Sequence, residues 1–209
     1  MKLQNKMLIV ALTALLPLSA KATTSICDSD PLNIVQNCGF ETGDTTSWTQ
    51  TGNWNTTYSY VNSSADGVAA NSGNYALYVG NYAYQDASGV SQTFTDTVGA
   101  QYQLSFWVEE NGSNTSAGTQ LFTASVDGNV LFTLQDVAAT PWTEYTVDFT
   151  GTGSDTIAFS GYSNAGYNGL DDVSADVISS SVPEPAMAVM WLFGSAFAGF
   201  VGFNRKKSV

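Results

Sequence analysis

The chain has 209 residues, with 18 Asp and Glu against 6 Lys and Arg, no histidine and a formal net charge of −12. Its cations are Lys2, Lys6, Lys21, Arg205, Lys206 and Lys207, so nothing basic lies between Thr23 and Asn204. This excludes nucleic-acid binding by phosphate neutralisation, disfavours attraction to anionic lipid, and removes the His, Lys and Arg on which most acid–base and nucleophilic catalysis depends.

In chain order, Lys2 and Lys6 precede an apolar stretch from Met7 to Leu18, and Ala20-Lys21-Ala22 places small residues two apart. The pattern predicts a secretory signal peptide over 1–22, cut after Ala22. An uncleaved anchor is the alternative, but the apolar stretch is short for a span. Export puts Cys27 and Cys38 where thiols pair, which predicts a Cys27–Cys38 disulfide closing a small N-terminal loop, worth ~2–3 kcal/mol in the chain-entropy model.

The body over 23–178 is rich in Thr, Val, Tyr, Phe, Gly, Asn and Ser, which favours sheet. Alternation of period two places Tyr102, Leu104, Phe106 and Val108 on one face, and likewise Phe122, Ala124 and Val126. Asp127-Gly128-Asn129 marks a hairpin leading to Val130, Phe132 and Leu134. Tyr145, Val147 and Phe149 alternate with outward Glu144, Thr146 and Asp148, and Ile157 and Phe159 continue the pattern. Short strands joined by Gly/Asn/Ser turns, with no helical stretch between them, predict an all-β, antiparallel two-sheet sandwich of the jelly-roll type.

The segments Asn37-Cys38-Gly39-Phe40-Glu41, Trp48, Ser72-Gly73-Asn74-Tyr75-Ala76, Ser91-Gln92-Thr93-Phe94, Tyr102 to Trp107, Trp142-Thr143-Glu144-Tyr145 and Leu170-Asp171-Asp172-Val173 occur in an order that resembles galactose-binding-like jelly rolls. Among these, the carbohydrate-binding modules of bacterial glycanases are nearest in look. The resemblance implies a structural Ca²⁺ tying the first strand to the last, with Glu41 and Asp171 or Asp172 as ligands. Independently of it, Leu170 and Val173 are three apart, so both can be buried only if an Asp turns inward or a bulge intervenes. An inward carboxylate in a body without cations has three options: main-chain N–H donors, protonation, or a metal held by oxygens, for which Ca²⁺ is the match. Two exposed Asp and a solvated Glu are the alternative.

Aromatic residues Trp54, Tyr58, Tyr60, Tyr82, Tyr84, Tyr162 and Tyr167 lie among Asn, Ser and Gly. Sugars stack a C–H face on a ring while amides and carboxylates take the hydroxyls, so Trp54, Tyr58, Tyr60, Tyr82 and Tyr84 are candidate glycan contacts. Trp107, opposite in parity to Phe106, is either second-face core or the floor of such a site. Glu109-Glu110 and Glu144 are the remaining carboxylates to weigh for glycoside hydrolysis. The adjacent pair reads as a solvated strand end, and no enzyme is expected.

A short Ser-rich spacer, Ile178 to Val182, leads into a linker over 179–185 that carries Val182-Pro183-Glu184-Pro185; then come Ala186 to Phe203 without a charge and Asn204-Arg205-Lys206-Lys207. At ~1.5 Å per residue the uncharged run measures ~27 Å, just enough for a transmembrane helix over 186–203, with 204–209 as a basic cytoplasmic tail. Motif, span and basic stop together resemble the PEP-CTERM sorting tail of Gram-negative bacteria. That family implies an exosortase partner, transient anchoring in the inner membrane and delivery to the surface. The expectation is an exported surface or extracellular-matrix protein whose jelly roll binds carbohydrate or associates with exopolysaccharide. A structural or adhesive protein with no ligand site is the alternative, and a small glycosidase the most remote one.

Overall fold

The computed structural model describes residues 24–80, 87–112, 116, 118–164 and 166–179. The signal peptide, Tyr82, Tyr84, Val182 to Pro185, the span and the basic tail all lie outside the described residues. Within them no helix is long and apolar enough to cross a membrane.

A short 3-10 turn, Cys27–Ser29, precedes twelve strands: β1 Thr49–Gly52, β2 Ser59–Asn62, β3 Ser64–Ala65, β4 Val68–Ala69, β5 Ala76–Val79, β6 Ser88–Phe94, β7 Gln101–Glu110, β8 Gln120–Val126, β9 Asn129–Gln135, β10 Thr140–Thr150, β11 Asp155–Ser163 and β12 Asn168–Ser179. They build two antiparallel five-stranded sheets, β1-β6-β11-β8-β9 and β10-β7-β12-β5-β2, with β3 and β4 forming a small separate hairpin. The predicted all-β sandwich is the architecture observed. β12 runs one residue past the predicted end of the body at 178.

The core lies between the sheets and is set by the alternation. Tyr102, Leu104, Phe106 and Val108 of β7 are buried, as are Phe122, Ala124 and Val126 of β8 and Ile157 and Phe159 of β11. Phe106 sits at its centre, 5.2 Å from Phe159 and 5.3 Å from Phe132 by ring centroid. Each such side chain contributes ~1.5–3 kcal/mol of burial.

The hairpin at Asp127-Gly128 forms as predicted. Val126 pairs with Asn129, and both loop residues have positive φ, 49° and 77°, which matches the twist of the flanking strands. Val130 departs from the expected face and is 59% exposed. Ala124 pairs with Phe132 but Ser125 with Val130, so Leu131 is an extra residue that turns Val130 outward.

The Cys27–Cys38 disulfide is present, with Cα atoms 6.1 Å apart. It fixes the N-terminal loop along β12, where Ile34 N–H donates to Ala175 O at 3.3 Å and Val173 N–H to Cys38 O at 3.0 Å.

Candidate functional site

Three adjacent strands of the second sheet, β10, β7 and β12, turn a polar row away from the core. In β7 that row is Gln103, Ser105 and Trp107, the residues alternating with Tyr102, Leu104 and Phe106. Across it, Glu144 and Asp171 pair with Trp107, Ser174 with Ser105, and Asp176 with Gln103. The N-terminal loop supplies the wall. The result is a cleft of about 390 Å³ lined by Gln103, Ser105, Trp107, Glu144, Ser174 and Asp176 of the sheet, together with Asp172 and the loop residues Ile26, Cys27 and Asp30. Trp107 is half-buried, so it offers part of its ring to the cleft. Ser174 Oγ donates to Asp176 Oδ2, whereas Asp176 Oδ1 is enclosed without a hydrogen-bond partner among the described residues. Burial, with the charge of Asp30 adding to it, raises the Asp176 pKa against the pull of the Ser174 hydroxyl. A second cleft of about 490 Å³ lies near Gln36, Gln92 and Ser154, but its one ring, Phe94, is 8% exposed and belongs to the core.

Behind the cleft wall lies a knot of carboxylates. Leu170 and Val173 are both fully buried, and the pairing with β7 shifts register between Asp171 and Ser174, so the bulge is the solution the chain uses. Asp172 takes a left-handed φ of 47°, which Asp tolerates better than most residues. Asp171, fully buried, accepts main-chain N–H bonds from Asn71 (2.8 Å), Ser72 (3.2 Å) and Asp172 (2.8 Å). Burial first and the charge of Asp172 second push its carboxyl up to about 9, against those three donors. Asp172, 4% exposed, accepts the Ser25 hydroxyl, the Ser72 hydroxyl at 2.7 Å, Ile26 N–H at 3.1 Å and Asn71 Nδ2 at 2.9 Å.

Glu41 is separately held, accepting Asn74 N–H at 2.8 Å and Tyr75 N–H at 3.0 Å on Oε1. Gly73 is required beside it: φ is +54°, and a Cβ there would stand 2.2 Å from Glu41 Oε1. Of the three options open to an inward carboxylate, donor hydrogen bonds hold these oxygens, and at Asp171 burial favours the protonated form as well. The arrangement does not fit a calcium site made of Glu41, Asp171 and Asp172. N–H and O–H donors, which a cation repels, occupy their oxygens. The one group of three ligand-type residues within 4.8 Å among the described residues is Cys27, Asp28 and Cys38, two of which form the disulfide.

Glu109 and Glu110 depart from the sequence expectation. The solvated strand end predicted for them is in fact closed, and each is 1% exposed. Their side chains do point to opposite faces. Glu110 turns inward, where Oε1 accepts Gly112 N–H (2.6 Å) and Ser163 Oγ (3.0 Å). Glu109 packs beside Trp142 over Gly169, where an added Cβ would meet Glu109 Cγ at 2.6 Å and Trp142 Cη2 at 2.7 Å. Glu109 Oε1 and Glu110 Oε2 have no partner among the described residues. Desolvation, then the neighbouring Glu110 and Asp66, raise Glu109 to about 8; desolvation raises Glu110 to about 7.

Of the candidate aromatic residues among the described residues, Trp107 alone lines the cleft. Trp54 packs against the main core. Tyr60 joins Tyr78, Trp142 and Tyr167 in a second cluster, 5.4 Å from Tyr167 and 6.2 Å from Tyr78 by ring centroid. The β3–β4 hairpin straps that cluster, accepting Tyr78 Oη at Val68 O (2.9 Å) and Trp142 Nε1 at Ala69 O (2.8 Å). Tyr162 is buried and Tyr58 half-buried just before β2. Gln103, Ser105, Ser174, Asp176 and Asp30 are cleft residues beyond the sequence-based candidates, and Glu144, weighed there only for hydrolysis, joins them. The signal for the first two was available, since they are the outward partners of an alternation already read.

A family model described as a carbohydrate binding domain matches residues 32–159, and one described as the PEP-CTERM protein-sorting motif matches residues 181–206. A comparison with curated proteins finds no match. Among solved structures, the chain is similar to TmCBM61, solved in complex with β-1,4-galactotriose, at 21% identity and a TM-score of 0.51, covering 69% of this chain and 98% of that one. It is also similar to the enzymatically active domain of bacteriophage CBA120 tailspike protein 4, at 19% identity and a TM-score of 0.50, covering 70% of this chain and 22% of that one. These likenesses carry the jelly-roll fold alone.

Proposed function

The chain belongs to the carbohydrate binding domain family, and from that premise we propose that it binds glycan in the cleft floored by Trp107 and performs no catalysis. The observation that supports the site is a half-buried indole at the base of a cleft whose rim offers an amide, two hydroxyls and carboxylates. A sugar ring stacks its C–H face on the indole, and its hydroxyls meet Gln103, Ser105 and Ser174. No step of bond cleavage is assigned, because the deeper carboxylates, Glu109 and Glu110, are enclosed by the protein and do not line this cleft.

The sorting motif at 181–206 marks an exported protein that is membrane-anchored before processing. We propose that exosortase processing then releases the glycan-binding body to the cell surface or the extracellular matrix, with exopolysaccharide as its target. A glycan array of the purified full chain and its Trp107→Ala variant tests the binding reading. Binding that weakens about tenfold or more in the variant is expected, which corresponds to ~1.4 kcal/mol of lost stacking. No binding at millimolar sugar, or binding indifferent to Trp107, would favour a structural or adhesive protein instead.

A further inference from the structure

The charge of the cleft narrows the class of glycan. Four carboxylates, those of Asp30, Glu144, Asp172 and Asp176, stand around Trp107. No Lys, Arg or His between Thr23 and Asn204 is available to balance them. We propose that the cleft selects glycans bearing free amino groups, of the glucosamine type, over neutral glycans and against uronic-acid glycans. The inference rests on the glycan-binding reading above and adds to it the ligand's charge.

Three observations favour an ammonium over other cations. Both oxygens of Asp172 are already occupied by protein donors, so Asp172 supplies field rather than coordination. The carboxylate oxygens of the cleft do not converge within 4.8 Å as a group of three, which a divalent ion requires. An ammonium needs only a few acceptors, and the carboxylates of Asp30, Glu144 and the half-buried Asp176 line the cleft to offer them.

The floor agrees with the walls. An indole face attracts a cation held above it as well as the C–H face of a pyranose, so a 2-amino sugar satisfies both demands at once. A uronate or a sulfated sugar would bring like charge against the carboxylates, an arrangement that suppresses wrong partners. A basic peptide shares the charge but not the ring, and membership of a carbohydrate-binding family sets it second.

Calorimetry on the purified full chain tests the proposal with four probes of similar length: a fully deacetylated glucosamine hexamer, its N-acetylated counterpart, cellohexaose and an oligogalacturonate. The glucosamine hexamer is expected to bind roughly tenfold tighter than the N-acetylated and neutral probes, and the uronate weakest. At ~1 M salt, where the Debye length is ~3 Å, the preference for the amine should shrink to a few-fold. Glu144→Gln combined with Asp176→Asn should bring the ratio of amine to neutral-probe affinity close to one, whatever it does to neutral binding itself, whereas Trp107→Ala should weaken every probe.

Equal, Trp107-dependent affinity for the amine and N-acetyl probes would overturn the charge selection and leave the glycan-binding reading standing. Absence of binding to any sugar would overturn both. Glucosamine binding that ignores Trp107, or that an oligolysine of equal charge reproduces, would assign the attraction to the acidic surface at large and overturn the proposal.

Discussion

Two acidic pairs face the same difficulty and meet it differently. Asp171-Asp172 and Glu109-Glu110 sit on neighbouring strands of one sheet, both pairs are at most 4% exposed, and neither has a cation within reach in a body that contains none. At the Asp pair, seven hydrogen-bond donations come from Ser25, Ile26, Asn71, Ser72 and the main chain of Asp172 itself, so the carboxylates tie the N-terminal loop and the 71–72 turn to β12. At the Glu pair, two of the four carboxylate oxygens have no partner among the described residues. Burial of an acid is thus a staple where a loop can turn its N–H groups inward, and a liability where carboxylate oxygens are left without a donor.

Removing a staple should produce the largest effect. Asp172→Ala would leave the hydroxyls of Ser25 and Ser72 and the amide of Asn71 without this acceptor, while Ile26 N–H keeps Ser72 Oγ at 2.9 Å, and several unsatisfied buried donors cost on the order of 3–5 kcal/mol together. Chemical denaturation of the variant checks this. A loss below ~1 kcal/mol would mean that solvent reaches these donors and the knot ties nothing.

The liability should show next, in the pH dependence. Glu109, Glu110 and Asp171 are raised to about 8, 7 and 9, so each favours the folded state in its protonated form. Their stabilising contribution is complete below the ordinary carboxylate range and is lost as pH rises through the folded values, so the thermal midpoint should fall between pH ~5 and ~9. Glu109→Gln cannot ionise, and its advantage over the parent should grow with pH to on the order of 2–4 kcal/mol at the alkaline end. A pH-independent difference between the two proteins would show that Glu109 stays ionised and finds a partner.

The same contrast explains what could be read from residues alone. The inward faces of β7, β8 and β11 follow from period-two alternation because they depend on one strand at a time. The bulge between Leu170 and Val173 follows too, since only an irregularity buries both. The disulfide needed no more than two cysteines in an exported body. The fate of Glu109 depended instead on Trp142 of β10 and the β3–β4 hairpin, segments far apart in sequence and joined only by the fold. The partners of Tyr60 and Trp54 depend on the fold in the same way: both are half-buried, Trp54 against the main core and Tyr60 against the cluster under the β3–β4 hairpin. The cleft draws on β7, β10, β12 and the N-terminal loop, so its carboxylates could be counted in the sequence but not assembled.

The smallest expected effect concerns calcium, and it bears directly on the staple. Because the oxygens of Glu41, Asp171 and Asp172 face donors, adding millimolar Ca²⁺ or a chelator to the purified chain should move the unfolding midpoint by no more than ~1 °C. A cation that bound only the folded state at a hundred times its dissociation constant would add ~2.7 kcal/mol, a shift of several degrees. Such a shift would mean that these carboxylates exchange their N–H donors for a metal. Repeating the measurement on Asp172→Ala then separates the alternatives: a calcium response that disappears assigns the ion to the knot, and one that persists assigns it to the exposed acids elsewhere on the body.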